Sequence, residues 1–162
     1  MSDQHESLAS AIDLRPGTSE DYQFALELYL EAMRPYTEEL MVWDETKQRR
    51  SFSQQWKTPN VTVITLRREA AGWLQVAESP AEIWLYQFFV SPEHQRRGIG
   101  TAVLHRLLAE WSKRPTSVRL TVLKNNPARR LYERCGFEVV AEIGIKFEMR
   151  LWLPRRAGFD DV

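Results

Sequence analysis

Val90–Leu108 reads VSPEHQRRGIGTAVLHRLL. An apolar, aromatic run, Ile83 to Val90, stops at Ser91-Pro92, and a polar loop with two glycines follows. From Thr101 the spacing turns helical, with Val103, Leu104, Leu107 and Leu108 on one apolar face. A strand therefore leads into a glycine-bearing loop that opens a helix. The first N–H groups of a helix have no internal partner, and the helix dipole adds partial positive charge there. Gly98 and Gly100 remove the side chains that would hold a ligand away from those amides, and Arg96 and Arg97 add charge. This combination suits a pyrophosphate. The plainer reading is a strand–turn–helix joint whose glycines serve geometry alone.

Two common phosphate loops do not match. There is no Gly-Lys pair for G-x-x-x-x-G-K-[ST], and Gly98-Ile99-Gly100 meets Val103 where G-x-G-x-x-G needs its third glycine. What stands is Gln95-Arg96-Arg97-Gly98-Ile99-Gly100, the pattern Q/R-x-x-G-x-G/A. This segment resembles the acetyl-CoA pyrophosphate loop of the GNAT superfamily of N-acetyltransferases. A second stretch, Asn125-Asn126-Pro127-Ala128-Arg129-Arg130-Leu131-Tyr132-Glu133-Arg134-Cys135-Gly136-Phe137, is similar to that family's N-x-x-A-x-x-L-Y-x-x-x-G-F segment. The two motifs occur in the family's order, with a helix and a strand between them. The resemblance covers about Ile64 to Met149 well and the N-terminal third loosely.

The rest of the chain fits one such unit, expected to span residues 1–162 with loose tails at 1–11 and 154–162. A length of 162 residues, 43% hydrophobic and 27% charged, is ordinary for a globular domain. Formal net charge is zero, which argues against a dedicated nucleic-acid binder. The single cysteine, Cys135, excludes an internal disulfide and anchors no metal cluster, so no metal is expected; it reads as a small residue at a helix end rather than a nucleophile. No apolar run has the length of a membrane span and the N-terminus lacks a signal-like core, so a cytoplasmic protein with no membrane partner is expected. The six tryptophans suit an aromatic-lined pocket or plain core packing.

In chain order, the expected elements begin with a strand at Ile12–Arg15. A helix capped at Thr18 and interrupted by Pro35 follows, then a second helical region over Tyr36–Trp56, broken near Trp43-Asp44. Strands are expected at Val61–Leu66, Gly72–Ala77 and Ile83–Val90. A helix from Ile99 or Gly100 to about Lys113, a strand over Val118–Val122 and a helix over Pro127–Arg134 come next, with Asn126 as cap and Gly136 as stop. Phe137–Glu142 and Lys146–Trp152 close the chain as strands. The order β-α-α-β-β-β-α-β-α-β-β is that of an α/β (α+β) fold, and the resemblance implies a mixed, mostly antiparallel sheet flanked by helices.

Transfer of an acetyl group from a thioester to an amine requires a held donor, a neutral amine, a stabilised oxyanion and a protonated leaving thiolate. The amides from Arg97 through Gly98, Ile99 and Gly100 to Thr101 would hold the pyrophosphate, with Gln95 and Arg96 at its edge. The resemblance implies that the pantetheine arm pairs with the main chain of Phe88, Phe89 and Val90, and that Asn125 contacts the donor. It also implies that Tyr132 is the general acid near the sulfur. Arg129 is a candidate for the phosphorylated ribose, against a solvated charged face. Strict alternation along the central strand would put Ile83, Leu85, Gln87 and Phe89 on one face and Trp84, Tyr86, Phe88 and Val90 on the other. No carboxylate lies mid-strand. The base is then a water oriented by Gln87, or a water chain ending at Glu82, Asp44 or Glu45. Tyr36, Trp43, Asp44 and Glu45 suit a cationic amine through aromatic faces and acids.

The expected activity is N-acetyl transfer from acetyl-CoA to a primary amine by direct attack in a ternary complex, since no nucleophile is placed for an acyl-enzyme. The amine belongs to a small molecule or a peptide. A homodimer is one expected state, dimers being common among the resembling proteins. The rival from another class is a non-catalytic acyl-CoA-binding or regulatory module, which keeps the loop and has no need of Tyr132.

Overall fold

The computed structural model describes residues 8–154. A seven-stranded sheet runs in the order β1-β2-β3-β4-β5-β7-β6. Its strands are β1 (Ile12–Pro16), β2 (Val61–Leu66), β3 (Glu69–Glu78), β4 (Glu82–Val90), β5 (Thr116–Leu123), β6 (Glu138–Ile143) and β7 (Lys146–Leu153). It is flanked by α1 (Tyr22–Leu40), α2 (Glu45–Gln55), α3 (Ile99–Trp111) and α4 (Ala128–Arg134). Neighbouring strands are antiparallel except β4 and β5, which are parallel. The element order and the sheet are those expected from the sequence.

Each face of the sheet buries its own core. Ile83, Leu85, Val118, Leu120, Met149 and Leu151 pack against Val103, Leu104 and Trp111 of α3 and Tyr132 of α4. On the opposite face Trp73 meets α1 and α2 through Ala25, Leu28, Tyr29 and Phe52. Two tryptophans are central to that packing: Trp56 and Trp73 join Tyr22, Tyr29, Phe52 and Phe89 in a chain of tilted and edge-on ring contacts. Trp84 instead lines the cavity described below, and Trp152 is exposed.

Three expectations need correction. Pro35 does not interrupt α1, which continues to Leu40 and breaks at residues 41–44. Proline removes one N–H donor, so the Glu31 carbonyl loses its i+4 partner. The helix persists because its buried side chains and the contacts of its last turn outweigh one lost bond. Residues 8–11 are not loose: they are helical, Leu8 packs on the core, and Arg106 donates to the Ala9 and Ile12 carbonyls. Residues 1–7 and 155–162 of the expected tails lie outside the described residues.

The third correction positions the site. Strict alternation fails in β4, because Gln75 of β3 pairs with Gln87 while Val76 pairs with Leu85, leaving Tyr86 as a bulge. The extra residue swaps faces. Ile83, Leu85, Phe88 and Val90 now share the α3 side, while Gln87 and Phe89 turn toward α1 and α2. A second irregularity lies across β2 and β3 at Ile64/Thr65, beside Gly72. A Cβ on Gly72 would stand 2.2 Å from the Phe89 carbonyl oxygen, so only glycine lets β3 approach β4 here.

Candidate active site

Strands β4 and β5 are bonded only over Glu82–Trp84 and Ser117–Arg119, and beyond the Tyr86 bulge they separate. The opening forms a cavity of about 1160 Å³ reaching from the α1–α2 side through to α3 and α4. Its walls come from α1, α2, β4, the glycine loop, the end of β5, α4 and the β6–β7 turn. The splay leaves backbone groups of β4 without a neighbouring strand. The Ser91 N–H donates to the Ala71 carbonyl at 2.8 Å, so the antiparallel alternation gives residues 91 and 89 to β3. Val90 and Phe88 then turn their N–H and C=O groups toward the gap. The Val90 carbonyl is met there by Gln95 Nε2 at 2.8 Å, and the Phe88 groups face the cavity.

The loop after β4 is shaped by two left-handed residues, Arg96 (φ 64) and Gly98 (φ 80). Ser91 Oγ and His94 Nδ1 lie 2.7 Å apart at its start. The first internal bond of α3 runs from the Ala102 N–H to the Gly98 carbonyl, so the amides of Ile99, Gly100 and Thr101 have no partner within the helix. All three residues line the cavity. A Cβ on Gly100 would come no closer than 3.7 Å to Leu131 and 3.9 Å to Val90, and one on Gly98 would meet nothing within 4 Å. Among the described residues the cavity lies open at these three positions, which fits a phosphate seated there.

Tyr132 faces this cavity from α4. It is 7% exposed, packs edge-on to Phe137 at 5.8 Å, and lines the same opening as Phe88 and Gly100. Burial pushes its phenol far above the usual range, with a further contribution from the neighbouring Cys135. The phenol is a proton donor at every physiological pH. The sequence model of the acetyltransferase (GNAT) family matches residues 23–137, the stretch that contains every described lining residue of the cavity except Ile145 and Lys146.

The chain belongs to the GNAT acetyltransferase family.

Solved GNAT structures superpose on it at low identity. The PaiA N-acetyltransferase of Thermoplasma acidophilum, solved in complex with coenzyme A, is 16% identical with a TM-score of 0.68, over 87% of this chain and 98% of that one. Ard1 of Thermoplasma volcanium is 19% identical with a TM-score of 0.65, over 88% and 98%. The ribosomal-protein-S18-alanine N-acetyltransferase of Escherichia coli is 22% identical with a TM-score of 0.63, over 93% and 98%. These likenesses show the shared fold. No curated relative matches the sequence at a significant level.

Within this GNAT fold the residues singled out from sequence divide sharply. Tyr36, Gln87, Phe88, Phe89, Val90, Gln95, Arg96, Gly98, Ile99, Gly100, Thr101 and Tyr132 all line the cavity. Arg97 does not, although it adjoins the loop. Glu82 lies at the far end of β4, outside the lining, where its carboxylate meets Arg119 at 2.8 Å and Arg150 at 3.5 Å. Strand length separates it from the loop. Asp44 caps α2 by accepting from the Lys47 N–H at 3.1 Å, and Glu45 pairs with Arg49 along the same helix. Trp43 lines a separate shallow depression with Arg34 and Glu38. None of these three lines the large cavity, so the expected acid-and-aromatic amine site does not assemble there.

The two asparagines also separate. Asn126 lines the cavity and caps α4, its Oδ1 accepting from the Ala128 N–H at 2.9 Å. Asn125 is absent from the lining; its Nδ2 donates to the Tyr36 carbonyl at 3.0 Å and to Glu39 at 2.8 Å, tying the end of α1 to the β5–α4 loop. Arg129 pairs with Glu133 at 2.9 Å and lies over Phe147, also away from the lining.

Sequence reasoning missed the α1 and α2 side of the cavity: Tyr29, Glu31, Thr37, Gln48, Ser51 and Gln55. Tyr29 and Gln48 are hydrogen-bonded at 3.0 Å, and burial raises the Tyr29 phenol. These residues carry no motif, and only the fold brings them together. Charge is unevenly spread around the opening. Among the described residues Glu31 is its one carboxylate, at the α1 rim, whereas His94, Arg96, Arg134 and Lys146 supply the basic groups.

Proposed function

We propose that this protein is an N-acetyltransferase that moves an acetyl group from acetyl-CoA to a primary amine by direct attack in a ternary complex. One observation carries the reading: a gap between β4 and β5 that joins unpartnered helix amides, open strand backbone and a buried phenol in one cavity. Acetyl-CoA, the donor substrate, supplies the activated acetyl thioester. The amides of Ile99, Gly100 and Thr101 seat its pyrophosphate, and Arg96 adds charge. The main chain of Phe88 offers a strand-like pair to the pantetheine arm, while Gln95 fixes the adjacent Val90 carbonyl.

Tyr132, facing the cavity from α4 beside Phe88 and Gly100, gives its proton to the departing sulfur. Gln87, turned toward α1 and α2 by the bulge, orients the amine or a water beside it. The acceptor enters from the α1–α2 side, past Tyr36. Glu82, Asp44 and Glu45 have no part in this scheme.

Calorimetry with acetyl-CoA, dephospho-CoA and adenosine tests the donor half. Binding in the micromolar range for acetyl-CoA, and none for adenosine, is expected. An amine screen read by thiol release then tests transfer. Absence of acetyl-CoA binding would overturn the reading, and tight binding without transfer to any amine would favour the acyl-CoA-binding module.

A further inference from the structure

Lys146 is the one lysine among the described cavity-lining residues. It is the first residue of β7, after the turn that Gly144 (φ 58) makes possible. Its backbone is fixed at the mouth of the splayed strands: it pairs with Leu123 of β5, and the Lys124 N–H donates to the Ile145 carbonyl at 2.9 Å. Leu123 and Ile145 line the same cavity.

The face on which Lys146 stands follows from the alternation of β7. Phe147, Met149 and Leu151 join the core beneath α3 and α4. Lys146 belongs to the opposite set, with Glu148 and Arg150. Tyr132 and the glycine loop close the cavity from the α3 and α4 side, so an amine reaching a thioester in the gap must come from the side of Lys146.

Lys146 is also unengaged. Lys113 and Lys124 pair with Glu110 and Glu142, but no ion pair or hydrogen bond holds the Lys146 ammonium among the described residues. Although the residue keeps much of its surface exposed, partial burial lowers its pKa, which enlarges the neutral, nucleophilic fraction.

We infer that Lys146 is itself an acceptor: the chain acetylates its own Lys146 from acetyl-CoA bound in the cavity. The inference rests on the donor reading given above. The neutral Nζ attacks the thioester carbonyl carbon, a C–N bond forms and the C–S bond breaks. The electron pair leaves on sulfur, the sulfur takes the Tyr132 proton, and the proton lost from Nζ passes through water to restore the Tyr132 phenol. The products are N-acetyl-Lys146 and coenzyme A. The acetylated side chain has lost its charge and stays at the acceptor end, so the modification would obstruct external amines.

The test incubates the full chain with acetyl-CoA and maps acetyl groups by peptide mass spectrometry, with calorimetry of acetyl-CoA binding run in parallel. Held beside a bound thioester, Lys146 should be labelled at least about tenfold faster than Lys47, Lys57 and Lys113. Excess coenzyme A should bring its labelling down to theirs. The variant Lys146→Arg should bind acetyl-CoA as before and lose the fast label. Binding of acetyl-CoA with Lys146 labelled no faster than the surface lysines overturns the inference alone, as does fast labelling that survives excess coenzyme A. Failure to bind acetyl-CoA sinks the donor reading and this inference with it.

Discussion

The cavity has two walls of different origin. The donor wall, from Phe88 through Thr101 and on to Tyr132, is made of two short continuous segments whose backbone geometry does the work. The acceptor wall gathers Tyr29, Glu31, Tyr36, Gln48, Ser51, Gln55 and Gln87 from three elements, and there the side chains do the work. A wall built on main-chain amides depends on turn chemistry and tolerates many sequences around its glycines. A wall built on side chains from separate helices depends on how those helices dock, and its chemistry can change residue by residue. Under the proposed function the difference teaches where specificity resides: donor recognition is local, and acceptor recognition is tertiary.

Substitutions can break or sharpen that contrast. The largest effect is expected for Tyr132→Phe, which should lower kcat by roughly 10²–10⁴-fold. Acetyl-CoA affinity measured by calorimetry should be unchanged. An equal loss of affinity would mean that Tyr132 serves packing rather than proton delivery.

Gly98→Ala comes next. A side chain at φ 80 costs about 1–2 kcal/mol. Urea unfolding should show that loss, and calorimetry should show weaker acetyl-CoA binding with little change in amine KM.

Asn125→Ala should act on the opposite wall. Loss of its bonds to the Tyr36 carbonyl and Glu39 should cost about 1 kcal/mol and raise the amine KM, leaving donor affinity intact. A rise in acetyl-CoA Kd instead would restore the donor contact that the sequence motif implies.

Asp44→Ala removes a helix cap, worth about 1 kcal/mol of stability, and should leave amine kinetics alone. A raised KM would return Asp44 to the acceptor site.

The smallest effect concerns pH. Hydrogen bonding and attraction from Arg15 hold Asp21 at about 2, below the usual carboxylate range, and Asp21 completes a capping box with Thr18 ahead of α1. The folded state therefore binds this proton less readily than the unfolded chain. The stabilisation is present above the unfolded carboxylate value of about 4 and fades as pH falls from there through about 2. Arg15 is well exposed, so solvent screening limits the contribution to at most about 1 kcal/mol. Acid titration of Asp21→Asn should lack this component, with donor binding at neutral pH unchanged.

Much of the fold was legible because its signals are periodic or local. The run Ile83–Val90, the loop glycines and the Asn126-Pro127 cap each state a conformation in a few residues. The course of α1 past Pro35 was not legible, since it depends on packing and on Asn125 reaching 89 residues back to the Tyr36 carbonyl. The Tyr86 bulge was equally hidden. An alternating strand reads the same with or without an extra residue, and only the register against β3 shows that Gln87 and Phe89 have changed faces. Residue type alone makes Asp44, Glu45 and Glu82 candidates in the sequence. Each instead satisfies a nearby structural need, as a cap, a helix pair or an ion cluster.

The sequence by itself determined the element order, the family and the glycine loop between β4 and α3. These follow from hydrophobic period, proline and glycine positions, and motif spacing, all of which act over a few residues of chain. Only the tertiary structure decided which groups of α1 and α2 line the cavity and that Lys146 lines it too. Those outcomes depend on strand register, on a one-residue bulge that inverts two side chains, and on the docking of helices far apart in sequence.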